Sequence, residues 1–245
     1  MNKALVVFIK GLSLLCAVCS FSPLMASGLR VGMPVPGQVP FLWIDNAGAV
    51  TGIYADTLRA IAGDLKLQLK FVPLSQARLN RHFLGGEIDL EIGVSASAEE
   101  SQAMQQLSVF SRPFGFANEV VVFNPKLRFP AFILKDLKNR KVAVVRGASA
   151  PDYIVREDYA SPLQIAVRVD RGWSEVGLMR EATALHYQTY QSMSYKISLP
   201  YASNPISIRL HRQHQDLLKQ INRSIEKFEK QGVLEEIICK YLCGN

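Results

Sequence analysis

Ser95, Ser97 and Glu100 are the residues whose types and spacing first suggest chemistry: two hydroxyls and a carboxylate directly after the apolar run from Ile88 to Val94. Hydroxyls at the carboxyl end of a strand face the crevice in which open α/β folds bind ligands. Ser97-Ala98-Glu99-Glu100 also fits the S-x-x-E capping box, and the helix start it predicts leaves backbone N–H groups free for a polar guest. A second loop, Arg146-Gly147-Ala148-Ser149, repeats this arrangement after the apolar run Lys141 to Val145. If Pro151 stands in the first turn of a following helix, the N–H groups of Gly147, Ala148 and Ser149 suit an anion. Phe41 and Trp43, in a loop broken by Pro34, Pro36 and Pro40, offer rings that either stack on a ligand or pack internally, and Tyr54 poses the same choice. Arg78 is a candidate cation for the site or a solvated neighbour of Arg81.

His211 and His214 are three apart, but no cysteine or acid cluster beside them completes a metal set. G-x-S-x-G, H-E-x-x-H and Walker loops are absent from the sequence. Nothing in this inventory calls for an enzyme, and capture of a solute needs no cofactor.

The elements that must hold these residues follow from periodicity. Leu29 to Met33 predicts a strand, Ala55 to Leu65 a helix, Gln68 to Val72 a strand and Ser75 to Phe83 a helix, with Gly85 and Gly86 ending the last. This βαβα order implies a mainly parallel sheet covered by helices. Glu119 to Phe123 is a further strand, and a second series begins with the strand at Lys141 to Val145 and continues with one at Gln164 to Val169. The tail from Gln213 to Leu242 reads as two helices split at Gly232. Two α/β lobes joined by extended crossings fit this pattern better than one continuous sheet.

Lys3, Lys10 and the apolar run through Phe21, closed by Leu24-Met25-Ala26, have the order of a secretory signal peptide, and cleavage is expected near Ala26. The run is shorter than the ~20 residues that a membrane span needs. Removing residues 1–26 takes away two lysines and no acid, so the net charge falls from +7 to +5. The basic residues are spread along the sequence, which gives little support for nucleic-acid binding. Cys239 and Cys243 remain after cleavage, and their i, i+4 spacing on a predicted helix suits packing better than a bridge, although a frayed end would allow one.

The chain resembles the bacterial type II periplasmic solute-binding proteins, in particular extracellular solute-binding protein family 3. The residues that carry the likeness are Leu29-Arg30-Val31-Gly32, Pro40-Phe41, Gly48 with Thr51-Gly52, Gly86-Glu87-Ile88-Asp89, Phe110-Ser111-Arg112-Pro113-Phe114, Leu134-Lys135-Asp136-Leu137, Val142-Ala143-Val144-Val145-Arg146-Gly147, and Gly232-Val233-Leu234 running to Lys240-Tyr241. The resemblance implies an α/β two-lobe fold, with residues 29–118 plus 203–245 as lobe 1 and 119–202 as lobe 2. It implies a monomer in the periplasm that closes on an amino acid or related organic ion and delivers it to the membrane permease of an ABC transporter.

Two departures stand out. Where amino-acid binders of this family carry an arginine for the ligand carboxylate, this chain has Glu100, and Arg78 is the nearby substitute. The interval from Asp170 to Arg180 is too short for the helix, Gly-x-Val-Asp turn and buried strand expected after Gln164 to Val169, so lobe 2 is expected to lack a strand. Glu181 stands after this gap, where the family places the acid that receives the ligand ammonium. The resemblance also extends to cyclohexadienyl dehydratases, which would use Glu100 or Glu181 for proton transfer; a third alternative is a sensory module that reports its ligand to a membrane kinase through a separate partner.

Overall fold

A computed structural model describes residues 28–96, 101–129, 131, 133–148 and 150–243. In chain order the elements are β1 (Leu29–Pro34), β2 (Trp43–Ile44), β3 (Val50–Thr51), α1 (Ile53–Leu65), β4 (Leu69–Leu74), α2 (Gln76–Leu84), β5 (Leu90–Val94), α3 (Gln102–Leu107), β6 (Ser108–Phe110) and β7 (Gly115–Phe123). They continue as β8 (Lys141–Val145), β9 (Val155–Tyr159), α4 (Pro162–Asp170), β10 (Val176–Arg180), α5 (Glu181–Gln191), β11 (Lys196–Ile197), β12 (Ala202–His211), α6 (Leu218–Lys230) and α7 (Val233–Leu242). The fold is the expected two-lobe α/β arrangement.

Its strands form one curled ladder in the order β4-β1-β5-β12-β7-β10-β8-β9. β1 runs parallel to β4 and β5, because α1 and α2 return the chain to the same end each time. The long strand β12 links the two halves: Ala202 to Ile206 pair antiparallel with β7, and Ser207 to Leu210 pair with β5 after a register shift between Ser207 and Ile208. β7 and β12 are thus the two adjacent crossings between the lobes.

Apolar residues sort onto both faces of each half. Val31, Met33, Leu90, Ile92, Ile208 and Leu210 pack under α1, α6 and α7, whereas Phe83, Ile88 and Met104 fill the opposite face. In the second lobe Ile165, Ala166 and Val169 of α4 cover one face, and Leu137, Val142, Val144 and Ile154 the other. Burial on both faces is why these strands read as near-continuous apolar runs.

The second lobe corrects the expected element order. Gln164 to Val169 is part of α4, not a strand: Ser161 caps it by accepting from the Gln164 N–H at 3.4 Å, and Pro162 stands at its start. No helix follows Pro151, because residues 151–154 turn and Val155 to Tyr159 then pair parallel with β8 from Lys141 to Val145. With the strand shifted to β9, helix α4, a turn and strand β10 all follow, and the lobe is not missing a strand. Gly177 makes this packing possible, since a Cβ there would lie 2.4 Å from Ile165 Cγ2.

The capping box at Ser97 lies outside the described residues; the helix described there begins at Gln102, and the Ser101 hydroxyl accepts from the Met104 N–H at 3.3 Å. Cys239 and Cys243 are bridged, contrary to the packing expectation. Cys243 follows the last residue of α7, and the two Cα atoms are 4.7 Å apart, within disulfide reach. A loop this short removes little unfolded-state freedom, so Cys239→Ser/Cys243→Ser should lower stability by at most about 2 kcal/mol, read as a small downward shift in a melting curve.

Candidate functional site

The site grows from the way the chain enters α1. Gly52 provides no side-chain cap, so the N–H groups of Ile53 and Tyr54 donate to the Pro40 and Phe41 carbonyls at 3.0 and 2.8 Å, and the Gly52 N–H donates to the Tyr241 hydroxyl at 3.2 Å. These bonds fix the Phe41 ring 5.0 Å from that of Tyr54, which meets Phe114 edge-on at 5.9 Å. Tyr54 also packs on the end of β5. A Cβ at Gly93 would lie 2.0 Å from the Tyr54 ring, and Gly93 has φ +79°, so glycine is required there twice over.

From the other lobe, the carboxyl end of β10 brings Arg180 to this aromatic cluster. Its Nη1 donates to the Tyr54 hydroxyl at 3.1 Å, its guanidinium lies 5.2 Å from the centre of the Phe41 ring, and its Nε is 3.7 Å from Glu119 Oε1 on β7. Burial raises the Glu119 carboxyl above its usual range despite the neighbouring cation, and raises the Tyr54 phenol against the opposing pull of Arg180. Glu181, the first residue of α5, accepts from Asn118 Nδ2 at 2.8 Å. Thr183, one turn into α5, donates to the Val39 carbonyl at 2.7 Å. Phe41, Tyr54, Phe114, Asn118, Glu181 and Ile206 line a cavity of about 180 Å³ at this junction.

Arg180 and Glu119 are not in the wall of that cavity but adjoin its Phe41 and Tyr54 rings, and with Glu181 they offer one cation and two carboxylates to a small molecule carrying both charges. Arg180 and Glu119 were not legible as site residues while Asp170 to Arg180 was read as filling a gap. Once Val176 to Met179 is recognised as a buried strand, Arg180 falls at its carboxyl end, where ligand groups are expected.

The residues expected from sequence are only partly brought together. Phe41 is buried and shares the cavity with Glu181. Trp43, half-buried on β2, faces Tyr241 at 5.7 Å and His186 at 6.4 Å, where α5 and α7 approach each other. Burial lowers the His186 pKa, which favours a neutral ring among these aromatic residues. Ser95 is half-buried just beyond β5. Arg78 is exposed on α2, with no ion pair among the described residues. Gly147 and Ala148 are exposed in a turn closed by the Ala148 N–H donating to Val145 O at 2.9 Å, and the Ala148 carbonyl accepts from Arg156. The helix on which their anion-binding role rested is absent. Ser97, Glu100 and Ser149 lie outside the described residues.

Comparison with known proteins agrees with this architecture. The Amino-acid-binding protein AabA of Dichelobacter nodosus is 24% identical, covering 94% of this chain and 91% of the relative. Among solved structures, a mutant of ArgBP from T. maritima superposes with a TM-score of 0.74 at 24% identity, covering 88% of this chain and 95% of that one. The substrate binding protein of an amino acid ABC transporter gives 0.73 at 18% identity, covering 88% and 99%. The sequence pattern of one family matches residues 29–244, and the chain therefore belongs to the bacterial extracellular solute-binding proteins, family 3.

Proposed function

We propose that this protein captures an amino acid or a related small organic ion between its lobes in the periplasm and delivers it to the membrane permease of an ABC transporter. The observation that carries this reading is Arg180, which reaches from β10 across the junction to Tyr54 with Glu119 beside it. In the bound state Arg180 takes the solute carboxylate in a fork, Glu119 and Glu181 face its ammonium group, and Phe41 and Tyr54 cover it. Arg180 thus performs the part first considered for Arg78. The crossings β7 and β12 support a lobe boundary near residues 118 and 203, as the resemblance implies. Export through a cleaved leader accords with the family's extracellular character and with the Cys239–Cys243 bridge, a bond favoured in oxidising compartments. Among the described residues no helix is long and apolar enough to cross a membrane.

A thermal-shift screen of the chain without residues 1–26, against amino acids, polyamines, organic acids and small peptides, tests the proposal. A bound solute at a hundredfold excess over Kd stabilises by about 2.7 kcal/mol. Absence of a shift from every class would refute solute capture. With a solute in hand, Ser95→Ala should shrink that shift by more than it lowers the ligand-free melting point, whereas an equal drop in both would make Ser95 structural.

One observation favours a second reading, a proton-transferring enzyme on the same fold: Glu119 is a buried carboxyl whose raised pKa suits a general acid. Prolonged incubation with each stabilising solute, followed by mass spectrometry, separates the two. A receptor returns the solute unchanged.

A further inference from the structure

The basic residues that look dispersed in sequence converge on one end of the second lobe. Strands β8, β9 and β10 run parallel and start at that end, where Lys141 pairs with Val155, and Val176 and Lys196 both pair with Phe123. The loops there carry Lys126, Arg128, Lys138 and Arg171, all exposed like Lys141 and Lys196. Arg140 lies 4.2 Å from the centre of the Phe129 ring, and Arg171 5.0 Å from that of Trp173. None of these cations has an ion pair among the described residues. Four acids face the same end. Asp170 is bonded to the Ser194 N–H and hydroxyl and Asp136 accepts from the Ile133 N–H, which leaves Asp152 and Glu175 as the exposed ones.

Two large apolar side chains stand exposed among these charges, Trp173 at 58% and Val155 at 49%. Elsewhere several long basic side chains are matched, among them Arg112 with Glu226 and Glu229, Lys227 with Asp64, Lys230 with Glu226, and Lys240 with Asp56, whereas Lys66, Lys70, Arg78, Arg81, Lys219 and Arg223 are exposed without an ion pair among the described residues, so the exposed tryptophan among the cations is what sets this pole apart. An unmatched cationic surface with an exposed tryptophan has the chemistry of the membrane interface, where phosphate headgroups meet the cations and the indole enters at headgroup depth. We infer that this pole of the second lobe, built around Lys141, Arg140, Arg171 and Trp173, docks on an anionic phospholipid surface. The opposite ends of the same strands, at Val145 and Arg180, face the candidate site, so a docked protein keeps its cleft free. The inference stands apart from the identity of the solute.

Co-sedimentation of the chain without residues 1–26 tests it, using vesicles of phosphatidylcholine alone and vesicles in which roughly one third is phosphatidylglycerol. The protein should partition onto the phosphatidylglycerol vesicles, and salt should release it as the screening length shortens. At about fivefold for each lost cation, Arg140→Gln/Lys141→Gln/Arg171→Gln should weaken binding by roughly a hundredfold, and Trp173→Ala by roughly tenfold. The matched control Lys66→Gln/Lys70→Gln/Lys219→Gln, which removes three exposed lysines from the first lobe, should bind as the parent does. Equal partition on the two vesicle types would overturn the inference, and so would an equal loss from the control triple. Circular dichroism of each variant confirms that the fold is retained.

Discussion

Arg180→Met should weaken binding of a carboxylate-bearing solute by roughly thirtyfold or more, since removing one member of a desolvated charge pair costs about 2–5 kcal/mol. The geometry concentrates that loss in one side chain. Arg180 is the cation that touches Tyr54, Phe41 and Glu119 together, and Arg78 is exposed on a different helix. Arg180→Lys should recover only part of the affinity, because an ammonium keeps the charge without the planar fork. Calorimetric titration with the solute found by screening measures both, and a Kd unchanged in Arg180→Met would remove the basis of the proposed site.

The same cluster sets a pH dependence. Burial raises the folded-state pKa of Glu119, so the folded protein binds a proton there more readily than the unfolded chain does. Its contribution to stability is therefore greatest in acid and declines as pH rises through the window above the usual glutamate value. Binding runs the other way: as pH falls through the raised value, Glu119 loses its charge and its hold on an ammonium group weakens. Glu119→Gln should flatten that part of the binding profile.

The largest loss of stability should come from Asp89→Asn, at about 3 kcal/mol in urea unfolding. The buried Asp89 carboxylate accepts from the Arg30 backbone N–H at 2.7 Å, from Arg30 Nε at 2.9 Å and Nη2 at 2.6 Å, and from Gln213 Nε2 at 3.2 Å, with His214 Nε2 at 2.8 Å. Its own carbonyl accepts from the His211 N–H at 2.8 Å, so this residue ties β1, β5 and the end of β12 together. Burial alone would raise the Asp89 carboxyl, but the Arg30 hydrogen bonds, with help from His214, hold it well below the usual carboxylate range. A depressed pKa gives stability that is complete above the unfolded value of about 3.9 and disappears as pH falls below it. The variant should accordingly lose part of the parent's sensitivity to acid. A change under about 0.5 kcal/mol would mean the network contributes no more than an ordinary surface contact.

Much of the first lobe was legible because its helices carry clear stripes and its strands end at glycines or prolines. β12 was not recognised, since Asn204, Pro205 and Arg209 interrupt its apolar pattern. The structure accounts for the arginine, which is buried beside the equally buried Glu91 on the neighbouring strand. In the second lobe, Ile165, Ala166 and Val169 resemble a short strand to a reader of apolar runs, but Ser161 and Pro162 ahead of them are helix-opening residues. That one misreading displaced β9, hid β10, and with it concealed Arg180. The rings at Phe41 and Tyr54 were identifiable as candidates, while their grouping with Asn118 and Glu119 depends on β7 crossing between the lobes. The cationic pole escaped notice for a similar reason: Lys126, Lys141, Arg171 and Lys196 become neighbours only when parallel strands align their starts.

The position of β12 also orders events as the polypeptide emerges. The first half of the chain appears early, yet β5, paired with β1 on one side, gains its second partner only when residues 207–210 arrive, after every strand of the middle segment. The middle segment is contiguous and can collapse on its own during synthesis. Until then the leading segment keeps an open sheet edge, a row of unpaired backbone groups on which another chain could pair.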